Sequence, residues 1–273
     1  MNIKGCERMI IADDKKIKKL NSISVNDVYI LADFDGTITE DNSDSSWASI
    51  FKNPKVTKDF VDECIRVFSH YHKFEIDESL LVQEKMSIMS EWYRKNIETL
   101  INFGITEEII NYAANNESIM AFRDGALEFL KQMNKKNIPI IIISAGVGNI
   151  IEQFLIRNNC NYPNIHICSN FLEYNVGVVS GVRNNNLIHP LNKNEISLSS
   201  DIKKIISRRE NIIILGNNIT DVNMVSSNKS VYKIGFLDEN IEDRIESFKE
   251  NFDIVCTHNT SYDEIRSKIK ILN

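Results

Sequence analysis

The sequence predicts an α/β fold, a parallel sheet layered with helices and interrupted by one helical insertion. Three observations lead there. Short, mostly apolar runs recur at 28–32, 138–143, 165–168, 212–215, 231–234 and 254–256, each too short for a helix and suited to strands buried on both faces. Helical patterns alternate with these runs, as the crossovers of a parallel sheet require. From about Asp41 to Ala121 strand-like alternation is scarce and apolar residues keep helical spacing.

Taken in order, residues 1–26 read as a lead-in helix and a polar turn before the first strand, 28–32. The insertion carries apolar residues at Phe60, Cys64, Val67, Phe68 and Tyr71, then at Leu80, Leu81, Met86, Met89, Trp92 and Tyr93, and last at Ile97, Leu100, Ile101 and Phe103. The α/β texture returns near Phe122. A helix is expected over 125–136 with Asp124 as its N-cap. The strand 138–143 follows, ending in Ser144-Ala145-Gly146, and then a helix over 149–158 and a strand over 165–168. Gly177, Gly181 and alternating valines within 172–188 predict a β-hairpin off one edge. Helices are expected over 195–209, 241–248 and 262–271, between and after the strands 212–215, 231–234 and 254–256.

At 273 residues the chain suits a core plus an insertion, and its net charge of −6 argues against a general nucleic-acid binder. Lys16, Lys18 and Lys19 read as a solvated helix face. The five cysteines, Cys6, Cys64, Cys160, Cys168 and Cys256, are odd in number and scattered, which fits a reduced cytosolic chain. Lys4, Glu7 and Arg8 break any apolar leader. The run 138–143 is far too short to span a membrane. The expectation is a cytoplasmic monomer with neither a membrane nor a nucleic-acid polymer as partner.

The first strand ends in two carboxylates, Asp33 and Asp35, followed by Gly36 and Thr37. Side chains two apart on a strand share a face, so both acids reach one spot beyond the sheet. Carboxylates at the end of a buried strand are costly unless something positive meets them. Two further strand ends, Ser144 and Asn217 to Asp221, fall on the same edge of a parallel sheet, where such folds bind ligands. Lys193, in Leu-Asn-Lys-Asn, can join them. Alone, Ser144 reads as a helix cap, Lys193 as a surface lysine and 217–221 as a capped loop. Together they supply what phosphoryl transfer needs: an acid to attack, an acid to move a proton, a hydroxyl, an ammonium and oxygen ligands for a hard cation.

This set resembles the haloacid dehalogenase-like phosphatase superfamily, whose four motifs match Asp33-Phe-Asp-Gly-Thr37, Ser144, Lys193 and Gly216-Asn-Asn-Ile-Thr-Asp221. Longer stretches are similar to the cytosolic pyrimidine 5'-nucleotidases (5'-nucleotidase III): Glu84-Lys85 with Met89 and Glu91-Trp92-Tyr93, Ile138-Pro139 to Ser144-Ala145-Gly146, Tyr162-Pro163-Asn164, Ser169-Asn170-Phe171, Leu187-Ile188-His189 with Asn192-Lys193, and Lys233-Ile234-Gly235-Phe236-Leu237. The resemblance implies a three-layer Rossmann-like core, residues 1–41 and 122–273, with a helical cap at 42–121. It implies Mg²⁺-dependent hydrolysis of nucleoside 5'-monophosphates, pyrimidines preferred, through an aspartyl-phosphate on Asp33, with Asp35 as acid and base. Ser144 and the Ala145 amide would hold phosphoryl oxygens, and Lys193 would offset charge. Asp33, the Asp35 carbonyl and Asn217 would hold Mg²⁺, with Asp221 in support. Glu75 and Asn96 fall at the family's base-recognition and substrate positions.

Two positions depart from the family. Asn217 stands where aspartate is usual, which removes a negative charge from the metal site. Gly36 follows the general superfamily pattern, whereas the animal nucleotidases carry a bulkier residue. Trp92 and Tyr93 read as cap core before base-stacking groups, His70 and His72 as an exposed helix face before a metal pair, and His189 as a neighbour of the site or a strand-end residue. The alternatives are a phosphatase for another small phosphomonoester such as phosphoserine, and a non-catalytic binding protein of the same fold.

Overall fold

The computed structural model describes residues 8–75, 77, 79–183, 187–195 and 198–273. Its elements are β1 (Met9–Ile11), α1 (Asp14–Leu20), β2 (Val28–Ala32), α2 (Lys58–Glu75), α3 (Val82–Asn102), α4 (Glu107–Ala114), α5 (Ala126–Lys135), β3 (Ile140–Val147), α6 (Gly148–Arg157), β4 (Ile165–Asn170), β5 (Leu172–Asn175), β6 (Val178–Val182), α7 (Ser200–Ile206), β7 (Asn211–Gly216), β8 (Ser230–Leu237), α8 (Ile241–Asn251), β9 (Ile254–Thr257) and α9 (Tyr262–Lys268). Seven strands form one sheet in the order β1-β9-β8-β7-β2-β3-β4, parallel except for β1. β2 lies inside the sheet, with Ile30 opposite Ile213 of β7 on one side and Ile140 of β3 on the other.

Alternation along β2 explains the layers. Val28, Ile30 and Ala32 pack with Phe129 of α5, Phe154 of α6 and Ile265 of α9. Tyr29 and Leu31 point the other way, against Ile206 of α7 and Met224. α8 covers that second face further along, where Phe248 packs with Leu237 and Val255. The result is a three-layer α/β core in which every residue of β2 is buried.

Between β2 and β3 the chain makes α2, α3 and α4. Val67 and Tyr71 of α2 pack on Met89, Trp92 and Tyr93 of α3. Phe60 meets Phe51 and Phe103 edge-on, with ring centroids 5.9 and 5.6 Å away. At the ends of this stretch Thr39 and Phe122 form an antiparallel bridge, and Ile109 and Ile110 of α4 share the buried cluster of Phe154 and Ile30.

Several local expectations are corrected. The lead-in is not helical throughout: Met9–Ile11 pairs antiparallel with β9, an edge strand set by a partner more than 240 residues away. Cys6 and residues 1–7 lie outside the described residues. Asp124 does not cap α5. Gly125 holds the N-cap position with φ +74°, and the Asp124 carbonyl instead accepts the Tyr262 N–H at 2.8 Å. β3 begins two residues later than expected and runs on through Ser144 to Val147, with a register irregularity between Ile143 and Val147. Of the helix expected over 195–209, residues 196 and 197 lie outside the described residues, and the described part is helical over α7, capped by the Ser199 hydroxyl. Glu195 is drawn off to accept hydrogen bonds from Tyr29 and Ser226 instead. The hairpin expected within 172–188 is present as β5 with β6, a two-stranded ribbon following the edge strand β4, and residues 184–186 lie outside the described ones.

Ile142, fully buried at the centre of β3, tests the core. Ile142→Ala should lower unfolding stability by about 2–5 kcal/mol with an unchanged denaturant slope, measured by urea unfolding.

Candidate active site

The site is built at the carboxyl ends of β2, β3 and β7. The Asp33 N–H donates to Leu215 O at 2.9 Å, so the sheet ladder carries this residue to the very edge. Gly36 turns the chain with φ +69°. Lys193 Nζ lies 2.9 Å from Asp33 Oδ1 and 2.6 Å from Asp221 Oδ1, and all three side chains are at least nine-tenths buried. Asp221 is itself held: its Oδ2 accepts the Asn218 N–H at 3.0 Å. Gly216 leaves room for it, since a Cβ there would stand 2.4 Å from the same oxygen.

Asp35 is fixed by a residue that sequence reasoning missed. Ser46, just inside the insertion, donates its N–H to Asp35 Oδ1 (3.0 Å) and its hydroxyl to Asp35 Oδ2 (2.9 Å). Its oxygen also accepts the Val147 N–H at 3.2 Å, tying Asp35 to the end of β3. A serine in a polar loop carries no signal of this kind. On β3, the Gly146 N–H donates to Ser144 Oγ at 3.0 Å, which leaves the Ser144 hydroxyl hydrogen for another acceptor. The Ala145 carbonyl accepts two bonds, from Trp47 Nε1 at 3.0 Å and Asn170 Nδ2 at 2.9 Å. Asn170 also exchanges two 2.8 Å bonds with the backbone of Ile188. It thereby links this turn to the loop bearing Lys193. The Ser169-Asn170-Phe171 stretch drew notice in the sequence, but this strut did not.

Burial pushes the Asp33 carboxyl up to about 7, partly resisted by Lys193 and reinforced by Asp221 and Asp35. Burial also raises Asp35, against the two Ser46 bonds and Lys193. Burial pulls the Lys193 ammonium down, but Asp221 and Asp33 outweigh it and keep it charged. The balance follows by counting: three carboxylates (Asp33, Asp35, Asp221) less one ammonium leave two formal negative charges. Among the described residues no cluster of three or more His, Cys, Asp or Glu side chains closes round a metal. Asp33, Asp221, the Asp35 backbone and the Asn217 amide nonetheless offer oxygens of the kind a hard cation takes, and with the surplus negative charge their chemistry fits Mg²⁺. Asn217 stands beside Gly36, where a Cβ would lie 2.2 Å from its Nδ2.

Glu75 and Asn96 do not touch these carboxylates. They line a cavity of about 350 Å³ walled by Trp47, Phe51, Phe68, Trp92 and Tyr93. Trp47 joins the two places, being next to Ser46, bonded to Ala145, and edge-on to Tyr93 at 6.1 Å. Trp92 and Tyr93 belong both to the packing of α2 on α3 and to the cavity wall. His72 pairs with Glu75 at 3.0 Å and stacks on Phe68, while His70 is exposed. His189 is fully buried, and its Nε2 meets Ser90 Oγ of α3 at 3.1 Å. Because that hydroxyl donates to Met86 O, Nε2 carries the proton, and Nδ1 has no partner among the described residues. Cys64, Cys160, Cys168 and Cys256 form no disulfide, and among the described residues no helix is long and apolar enough to cross a membrane.

Comparison with known proteins agrees in direction. The profile of the pyrimidine 5'-nucleotidase (UMPH-1) family matches residues 37–273. The 7-methylguanosine phosphate-specific 5'-nucleotidase of Drosophila melanogaster is 30% identical over 256 residues, covering 90% of this chain and 80% of that protein. The crystal structure of cytosolic 5'-nucleotidase IIIB bound to cytidine superposes with a TM-score of 0.86 at 26% identity, covering 98% of this chain and 94% of the other. A substrate-bound phosphoserine phosphatase shares the fold, with a TM-score of 0.56 at 19% identity over 89% of this chain and 98% of its own.

His189 supplies a pH test. Burial lowers its imidazole to about 4 from the ordinary 6.5. The unfolded chain therefore binds this proton more readily than the folded one, and stability is lost as pH falls from about 6.5 towards 4. Relative to His189→Asn, the native chain should lose on the order of 1–2 kcal/mol more stability between pH 7.5 and pH 5, measured by denaturant unfolding at both. An identical pH response in both chains would show that the folded imidazole titrates normally.

Proposed function

This chain belongs to the pyrimidine 5'-nucleotidase (UMPH-1) family of haloacid dehalogenase-like phosphatases, and from that premise we propose that it is a cytosolic, monomeric 5'-nucleotidase hydrolysing nucleoside 5'-monophosphates by way of an aspartyl-phosphate. The observation that carries the proposal is the Lys193 ammonium shared between Asp33 and Asp221, beside Asp35, with Trp47 linking the turn after Ser144 to an aromatic cavity. On this reading residues 1–41 and 122–273 are the catalytic core, and residues 42–121 are a cap that supplies the base site.

Asp33 attacks phosphorus, forming an Oδ–P bond while the P–O5' bond breaks and Asp35 gives its proton to the leaving ribose oxygen. Asp35 then takes a proton from water, whose oxygen attacks phosphorus. The Oδ–P bond breaks, leaving inorganic phosphate and restoring Asp33. Lys193 aims Asp33 and favours its ionised form, against the burial that raises it. Ser144 offers its free hydroxyl hydrogen to a phosphoryl oxygen, and the Ala145 amide a second donor. The two Ser46 bonds hold Asp35 in line with both proton transfers. Asp33, the Asp35 carbonyl and Asn217, with Asp221 in support, would hold Mg²⁺, which would supply positive charge to offset that of the phosphoryl group.

The base lies among Trp47, Phe68, Trp92 and Tyr93, with the Glu75 carboxylate and the Asn96 amide as its polar partners. Pyrimidines fit this reading, as the cytidine-bound relative indicates. A 7-methylguanine base also fits, because it carries a positive charge that aromatic faces and a carboxylate attract, and the Drosophila relative is named for it.

Two experiments test the proposal. Phosphate release from CMP, UMP, 7-methyl-GMP, GMP and O-phosphoserine should favour CMP or 7-methyl-GMP at least about tenfold over phosphoserine, a gap of 1.4 kcal/mol in transition-state binding. Release should stop with chelator or in Asp33→Asn, and hydrolysis that persisted in that variant would remove Asp33 as the nucleophile. Asn217→Asp restores a negative charge and should bind Mg²⁺ more tightly, on the order of tenfold by calorimetric titration. Equal or weaker binding there would count against Asn217 as a ligand.

A further inference from the structure

The turn bearing Asp35 is gripped by a buried ion pair outside the four motifs. Arg123 and Asp238 expose 2% and 4% of their side chains, and Arg123 Nη2 lies 2.8 Å from Asp238 Oδ2. The same Nη2 donates to Gly36 O at 2.6 Å, and Nε donates to Thr37 O at 3.2 Å. The guanidinium lies over the Phe236 ring, 4.4 Å from its centroid, and the Arg123 N–H donates to Ile38 O at 2.9 Å. Asp238 is anchored in turn, its Oδ1 accepting the Asn259 N–H at 2.7 Å.

Gly36 is thereby held at both ends. Its N–H donates to Thr39 Oγ1 at 2.9 Å, and its carbonyl is taken by Arg123. Its φ of +69° is fixed by these two contacts rather than by any side chain of its own. The peptide plane that contains the Gly36 N–H also contains the Asp35 carbonyl, because the amide unit is rigid. Holding Gly36 therefore sets the direction of the Asp35 carbonyl and the base of the Asp35 side chain. A planar fork with three donors in use does this where a single ammonium would not. A buried ion pair contributes little net stability over an apolar pair of similar volume, so stability alone does not explain it.

We propose that Arg123, anchored by Asp238, is a positioning residue for the active site, clamping the Asp35-Gly36-Thr37 turn so that the Asp35 carbonyl faces the cation and the Asp35 carboxyl stands ready for proton transfer. The part played by Asp35 rests on the nucleotidase reading; the clamp itself does not.

The test is Arg123→Met/Asp238→Asn, which removes both charges together and keeps an acceptor for Asn259. Three readouts are taken: amide hydrogen exchange of the peptide spanning 34–39, Mn²⁺ binding to substrate-free protein by calorimetry, and kcat and KM for CMP. The variant should melt within a few degrees of the native chain, exchange at 34–39 about tenfold faster, bind Mn²⁺ about tenfold more weakly and lose about tenfold in kcat, with KM changed less than about twofold. Native exchange at 34–39 with native Mn²⁺ affinity overturns the clamp. If the native chain hydrolyses none of the nucleotides, the nucleotidase reading falls, while exchange and Mn²⁺ binding still decide the clamp. Should the double variant fail to fold, Arg123→Lys keeps the charge and loses the fork. It should move exchange and Mn²⁺ binding the same way by about threefold, and native values in it overturn the proposal.

Discussion

Lys193 reaches two buried carboxylates at once, and much of the site is organised by the charge it leaves over. One ammonium among Asp33, Asp35 and Asp221 makes a pocket too negative to close on itself. Desolvation drives Asp33 upward in response. Such an arrangement is a poor way to stabilise a fold and suits a dication, whose two positive charges would offset the two left over. The rigid parts around it follow from the same need. Gly216 makes room for Asp221, Ser46 secures Asp35, and Asn170 ties the turn after Ser144 to the loop that delivers Lys193.

The insertion is joined to this centre by few but specific contacts. Ser46 and Trp47 reach β3 from its first residues, and Ser90 of α3 meets the buried His189 beside the Lys193 loop. A residue that lines the aromatic cavity thus also bonds to the carbonyl of the proposed phosphate-holding turn. On the proposed reading, one indole would connect recognition of the base with placement of the phosphate.

The two departures from the family turn out to be neighbours. A side chain at position 36 would collide with the Asn217 amide, its Cβ standing 2.2 Å from Nδ2.

The sequence by itself determined the strands and the meeting place. Apolar runs that end in Asp33, Ser144 and Asn217 are local patterns, and a parallel sheet must bring such ends to one edge. Lys193 was legible through its motif. The short strand Met9–Ile11, the Gly125 cap and the truncated helix α7 were not, because each is settled by a partner distant in sequence or by a backbone angle that residue type does not dictate. The same holds for Ser46, Asn170 and the Arg123–Asp238 pair, whose side chains take part only through contacts made after the chain has folded. Tertiary structure alone decided how the carboxylates are held, since a hydrogen bond between residues 35 and 46, or 36 and 123, exists only when the core has packed.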